Sequence, residues 1–211
     1  MSIPKIIHYC WFGGREKSEL IEMCIASWHR YCPEWTIIEW NESNFDVGFC
    51  PYAANAYKQK RYGFLTDAAR LKIIYENGGV YLDTDVELKK SMDELLENEA
   101  WFAYGTISEI NTGSGFGATK GHPFIQKLLN QYLIRDKNMG FELCTRIDTE
   151  VFKKEFPGFA GNHDIAQEDN GVIIINDIWR YSIHHYTSTW MSPQQRIITK
   201  LRLLIRKIVK I

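Results

Sequence analysis

Asp83-Thr84-Asp85 is the place in this chain where residue types and spacing most invite chemistry. A strand alternates its side chains, but where it opens into a turn two carboxylates at i and i+2 can converge on one cation. Mg²⁺ and Mn²⁺ take hard oxygen ligands and commonly keep positions for water and for substrate phosphates. The apolar Val80-Tyr81-Leu82 just before the pair reads as a short buried strand. The acids therefore stand at its carboxyl end, where open α/β sheets bind their ligands. Taken alone, an Asp-x-Asp spacing discriminates little, and a solvated turn is the bland alternative.

Other residues group around this pair in the reading of the chain. Asp67 and Arg70 lie three apart on a helical pattern and share a face, as a ligand-binding pair or as a plain i,i+3 ion pair. Trp11 precedes Gly13-Gly14, and a flat indole beside glycines suits stacking on a ring as well as it suits a core. His184 and His185 are neighbours, so on a strand they face opposite sides and only one can readily join a given site.

The elements that must hold these groups alternate strand and helix. Residues 3–11 read as a first strand closed by Gly13-Gly14. Ser18 opens a helix with Glu19 and Glu22 in its first turn, ended by Pro33. Residues 35–40 form a second strand, 66–77 a helix ended by Gly78-Gly79 in a left-handed cap, and 80–82 a strand. Ser91-Met92-Asp93-Glu94 predicts a capping box on a short helix. Further strands are predicted at 101–104 and 172–175, and helices at 123–132, with Pro at its start, and 141–156. The glycine-rich 112–117 reads as a loop or bulged strand. This order predicts an α/β fold with a mostly parallel central sheet flanked by helices.

Composition narrows the class. The chain has 211 residues, 45% hydrophobic and 24% charged, which suits one globular domain. Lys and Arg number 25 against 26 Asp and Glu, so no overall charge points to nucleic acid. The five cysteines show no metal-type spacing and read as reduced thiols. With neither a secretory leader nor a run of roughly 20 apolar residues, a cytoplasmic protein is expected.

The stretch Phe64-Leu65-Thr66-Asp67-Ala68-Ala69-Arg70, continued to Gly78-Gly79-Val80-Tyr81-Leu82-Asp83-Thr84-Asp85, resembles the DXD-containing sugar-binding region of glycosyltransferase family 32. That family includes capsular polysaccharide enzymes and mannosyltransferases, and is similar to the catalytic core of large clostridial glucosylating toxins. Residues 3–14 look like its first strand and loop, and residues 183–190 like its closing histidine-to-tryptophan motif. The resemblance implies a GT-A type nucleotide-sugar transferase. It implies a retaining hexose transfer, from a UDP-sugar by preference, to an oligosaccharide or lipid-linked glycan in capsule or surface polysaccharide synthesis. It also implies Mn²⁺ (or Mg²⁺) held by Asp83, Asp85 and His185, with His184 as the alternate. Trp11, Asp67, Arg70, Tyr81, Asp83 and Trp190 would bind the donor, and Asp83 and Asp85 would serve catalysis. Glu109 and His163-Asp164 are candidates for the acceptor side.

Residues 1–192 make up the transferase domain in this reading. Residues 193–211 carry Arg196, Lys200, Arg202, Arg206, Lys207 and Lys210 opposite an apolar side. Such a cationic amphipathic helix would lie on an anionic membrane face or pack on the domain or a second subunit. Two rival readings are a phosphohydrolase of the haloacid-dehalogenase kind, with Asp83 as nucleophile, and a carbohydrate-binding module without catalysis. The helix carrying Asp67 and Arg70 has no role in the first, and a complete metal site argues against the second.

Overall fold

The computed structural model describes residues 2–105, 109–136, 139–156, 167–169 and 171–187. The predicted segment 193–211, Trp190 and His163-Asp164 lie outside the described residues.

Strand β1 (Ile6–Cys10) pairs in parallel with β2 (Thr36–Trp40) on one side and with β3 (Gly79–Tyr81) on the other. Next to β3 come β6 (Phe116–Ala118), β5 (Ala100–Ala103), β8 (Val172–Ile175) and β7 (Gln167–Asp169). Strands β1, β2, β3, β5 and β8 run one way, while β6 and β7 oppose them, so the sheet is mostly parallel. Helices cover it: α1 (Glu19–Tyr31), α2 (Pro51–Lys58), α3 (Tyr62–Asn77), α4 (Pro123–Leu133) and α5 (Cys144–Glu155). One core cluster joins the faces of α2 to α5 to Phe102, Phe116 and Tyr81, and a second joins Trp28, Trp35, Val80 and Trp101.

A two-stranded ribbon stands apart from this sheet: β4 (Val86–Leu88) antiparallel to β9 (Ser182–His184). Its position is fixed by α1. Trp28 donates its indole N–H to the Val86 carbonyl at 2.7 Å, and Ser27 Oγ accepts the Leu88 N–H at 2.8 Å. The register sets His184 opposite Val86, beside Asp85, although 99 residues separate the two in sequence.

The structure departs from the sequence reading at a few places. Gly78 closes α3 with positive φ but extended ψ (70°, −169°), not the left-handed helical cap. That conformation belongs to glycine, and a Cβ there would meet the Lys120 amide at 2.8 Å. Ser91 does not cap a helix: its Oγ accepts the Asp93 N–H, and a 3₁₀ turn, Asp93–Glu97, comes next. Helix α2 and strand β4 had no prediction. All five cysteines are free thiols, four of them buried. Among the described residues no helix is long and apolar enough to cross a membrane.

Candidate functional site

The two aspartates occupy a tight turn after β3. Leu82 still donates its N–H to the His8 carbonyl, and the Val86 N–H then bonds the Asp83 carbonyl at 3.0 Å. The turn brings the Asp83 and Asp85 carboxylates to one side, and the ribbon adds His184. One ligand-type atom from each of these three lies within 4.8 Å of the others. Two carboxylates and an imidazole are a donor set that fits a divalent cation of the Mn²⁺ type.

The two acids sit in different fields. Asp85 is buried, which opposes ionisation, but His184 and Thr187 outweigh this and hold its carboxyl far below the usual range. His184 Nε2 is 3.2 Å from Asp85 Oδ1, while Thr187 donates both N–H (2.7 Å) and Oγ1–H (2.8 Å) to Oδ2. Asp83 is pushed up to about 6 by burial, against which Arg70 works. Tyr81 donates its hydroxyl to Asp83 Oδ1 at 3.1 Å.

Arg70 lies behind the acids, 2% exposed, on the inward face of α3. Its guanidinium holds Asp67 at 2.5 Å and Asp83 at 3.5 Å, and it stands 5.8 Å from the Tyr81 ring centre. The Asp67/Arg70 pair is therefore a partly buried link from helix to metal-type site rather than a solvated surface bridge. Tyr81 is buried at 1% exposure, so what it offers the site is its hydroxyl. Trp11, half-buried at the end of β1, donates its indole N–H to the Arg15 carbonyl and lies under Lys17.

Of the two histidines, the structure brings His184 to the aspartates. His185 points the other way and lies 2.9 Å from Glu87, although its backbone N–H bonds the Asp85 carbonyl. Glu109 is exposed in the loop after β5, its carbonyl accepting the Gly105 N–H.

The loop at 110–114 forms the back wall. The Gly113 carbonyl accepts the Asp83 N–H at 3.3 Å, and a Cβ at Gly113 would run into Asp83 Oδ2. Glycine at 113 makes room for a carboxylate, whereas Gly115 and Gly117 make room for Leu82, Val80 and the Trp101 ring. Helix α5 clamps this loop: Thr112 Oγ1 donates to Asp148 Oδ2 at 2.7 Å, and Thr149 Oγ1 accepts the Ile110 N–H at 2.9 Å. Thr112, Ser114, Asp148, Thr149 and Thr187 were not readable as site residues, because each acts through a contact across the fold.

Asp148 is fully buried, and among the described residues its Oδ1 has no hydrogen-bond partner. Burial pushes its carboxyl up to about 7, with Arg70 and Thr112 opposing. Between the unfolded value of about 3.9 and this folded one, the native state keeps a proton the unfolded state has lost. Stability should therefore fall as pH rises from about 4 to about 7. Asp148→Asn is expected to remove that slope, leaving the variant more stable than the parent at pH 8 and little changed near pH 4. Urea midpoints across this range check it, and parallel pH profiles for the two proteins would show that Asp148 titrates normally.

The fold is of the GT-A type. Residues 18–102 match the family model for the glycosyltransferase sugar-binding region containing a DXD motif. The chain is 29% identical over 136 residues to inositol phosphoceramide mannosyltransferase 3 of Schizosaccharomyces pombe, covering 61% of this chain and 36% of that protein. Inositol phosphoceramide mannosyltransferase 1 of the same yeast is 28% identical over 139 residues, with 61% and 42% covered. The chain thus spans about two fifths of the length of these curated relatives. Among solved structures, the PaToxG glycosyltransferase superposes with a TM-score of 0.59 at 18% identity, over 74% of this chain and 71% of that one, a likeness of fold. The family match places the transferase reading ahead of the phosphohydrolase alternative.

Proposed function

We propose that the chain is a metal-dependent, retaining glycosyltransferase that moves a hexose from a nucleotide sugar to a glycan or glycolipid acceptor. The observation that carries this reading is the convergence of Asp83, Asp85 and His184 at the carboxyl end of β3, directly in front of the Arg70/Asp67 pair. Those three residues would hold Mn²⁺ or Mg²⁺, which when bound supplies positive charge to offset that developing on a leaving diphosphate. Arg70 holds Asp83 in place, and Asp67, tied to Arg70, is the carboxylate proposed to meet the donor's hydroxyls. Trp11 at the end of β1 offers a flat face for the nucleotide base, and Trp190 is proposed to cover the donor.

In a retaining transfer the acceptor hydroxyl attacks the anomeric carbon from the face the diphosphate leaves. The bond from that carbon to the diphosphate oxygen breaks, the new bond to the acceptor oxygen forms, and the acceptor's proton passes to the departing diphosphate. No enzymic nucleophile is needed. The two yeast relatives are named as mannosyltransferases of a phosphoinositol lipid. Their names favour mannose as the hexose and a lipid-linked acceptor, whereas a UDP-sugar donor and a capsule-type polysaccharide remain the sequence-based proposal. A lipid-linked acceptor would also give the basic, apolar stretch at 193–211 a role at a membrane face.

Thermal unfolding in a panel of nucleotide sugars, with and without Mn²⁺, tests this reading. A donor at about 100 times its Kd should stabilise the protein by about 2.7 kcal/mol, and the shift should need the cation. If no nucleotide sugar raises the melting temperature or is hydrolysed with Mn²⁺ present, the transferase reading fails.

A further inference from the structure

His184 is held on three sides. Its Nε2 faces Asp85, its Nδ1 is 3.0 Å from Ser114 Oγ, and its ring stacks on Tyr186 with centroids 4.0 Å apart and planes 17° from parallel. Ser114 is 3% exposed and sits on the loop that α5 clamps, its N–H bonded to the Asn111 carbonyl. Tyr186 in turn is hydrogen-bonded through its side chain to Ser114 and Asn111. Its backbone has φ of 49°, a conformation uncommon outside glycine and costly for an aromatic residue. Such strain persists only where surrounding contacts impose it.

A neutral imidazole offers one nitrogen as a ligand only if the other carries the proton, and that choice is set by the other nitrogen's partner. Ser114 is such a partner. With a cation taking the place of the Nε2–H facing Asp85, His184 Nδ1–H would donate to Ser114 Oγ, the serine hydroxyl would pass its own proton on toward Tyr186, and Nε2 would turn its lone pair to the ion. We propose that Ser114 and Tyr186 are positioning residues: they fix the tautomer and ring plane of His184 so that its Nε2 completes the cation site. The cation site assigned under the proposed function is the premise. Beyond it, these contacts orient the nitrogen ligand and thereby bias the choice of cation. Mg²⁺ demands oxygen ligands in near-ideal octahedral geometry, whereas the softer Mn²⁺ tolerates one imidazole nitrogen beside two carboxylates. The Ser114–His184 contact should therefore favour Mn²⁺ over Mg²⁺.

The test is titration of the full chain with Mn²⁺ alone, monitored by electron paramagnetic resonance, with Mg²⁺ as competitor. Ser114→Ala should weaken Mn²⁺ binding about 10- to 100-fold, the range for loss of a ligand's orienting partner, and change Mg²⁺ affinity by less than about threefold. In a His184→Ala background the same serine substitution should add nothing, as required if it acts through the imidazole. Should Ser114→Ala fail to fold, Tyr186→Phe keeps the stacked ring and removes the hydroxyl, and the same cation-selective loss is expected. Unchanged Mn²⁺ affinity in the folded variant, equal losses for both cations, or no saturable Mn²⁺ binding by the parent would each overturn the proposal. Since no nucleotide sugar is present, intact Mn²⁺ selectivity without donor binding would sink the transferase reading alone. Intact donor binding with unchanged Mn²⁺ affinity in Ser114→Ala would sink this one alone.

Discussion

Replacing Arg70 by Met is expected to destabilise the protein by about 3–5 kcal/mol, the cost of removing one partner from a buried charge group. The reason is what remains. Asp67 and Asp83 both lean on this guanidinium, at 2.5 and 3.5 Å, and burial already raises the pKa of each. Met fills much of the apolar volume of the arginine stem, so packing on Tyr81 is largely retained and the loss is chiefly electrostatic. An exposed ion pair would cost at most about 1 kcal/mol, and the gap between the two figures makes the measurement decisive. In a chain of this size 3–5 kcal/mol is roughly 10 °C of melting temperature. Adding Asp67→Asn to Arg70→Met should return part of the loss, because it removes one of the stranded carboxylates. A urea midpoint that shifts by less than about 1 kcal/mol would mean that water reaches the pair and that Arg70 is not an internal brace of the site.

How much of this was legible in the sequence depends on how far each contact reaches. Strand β8 was read at its observed bounds, since four β-branched residues after a glycine leave little choice. Helix α3 begins a turn earlier than its pattern suggests. Its first residues, Tyr62 and Phe64, are fixed by aromatic packing on Tyr57 and Phe141. Helix α2 opens on Pro51 with the Cys50 sulfur accepting the Ala53 N–H, an N-cap that no propensity favours. Asp67, Arg70, Tyr81 and Asp83 were legible as a group because they fall within one local helix–glycine–strand run. The choice between His184 and His185 was not. Alternation places them on opposite faces, but only the pairing of β9 with β4 decides which face meets the aspartates. Ser114, Asp148 and Thr149 were hidden for the same reason: their partners lie 70, 36 and 39 residues away.

Asp85→Asn should reduce transfer by at least about 10³-fold, some 4 kcal/mol of transition-state stabilisation, while leaving the fold nearly as stable as before. The two effects separate because the carboxylate has two kinds of partner. Thr187 donates two hydrogen bonds to Oδ2, and an amide oxygen can accept both. What asparagine cannot supply is the negative charge that His184 and Thr187 hold ionised far below the usual carboxylate range. Without it the cation site keeps one acid, Asp83, whose own ionisation is already opposed by burial. Asp85→Ala, by contrast, should cost stability as well, because it strands the Thr187 N–H and hydroxyl. The informative comparison is therefore between the two variants: equal loss of turnover and of Mn²⁺ binding, but unequal melting temperatures. Asparagine with full activity would remove Asp85 from the cation site. Equal destabilisation by both substitutions would show that its charge, rather than its hydrogen bonds, holds residues 184–187 against the turn.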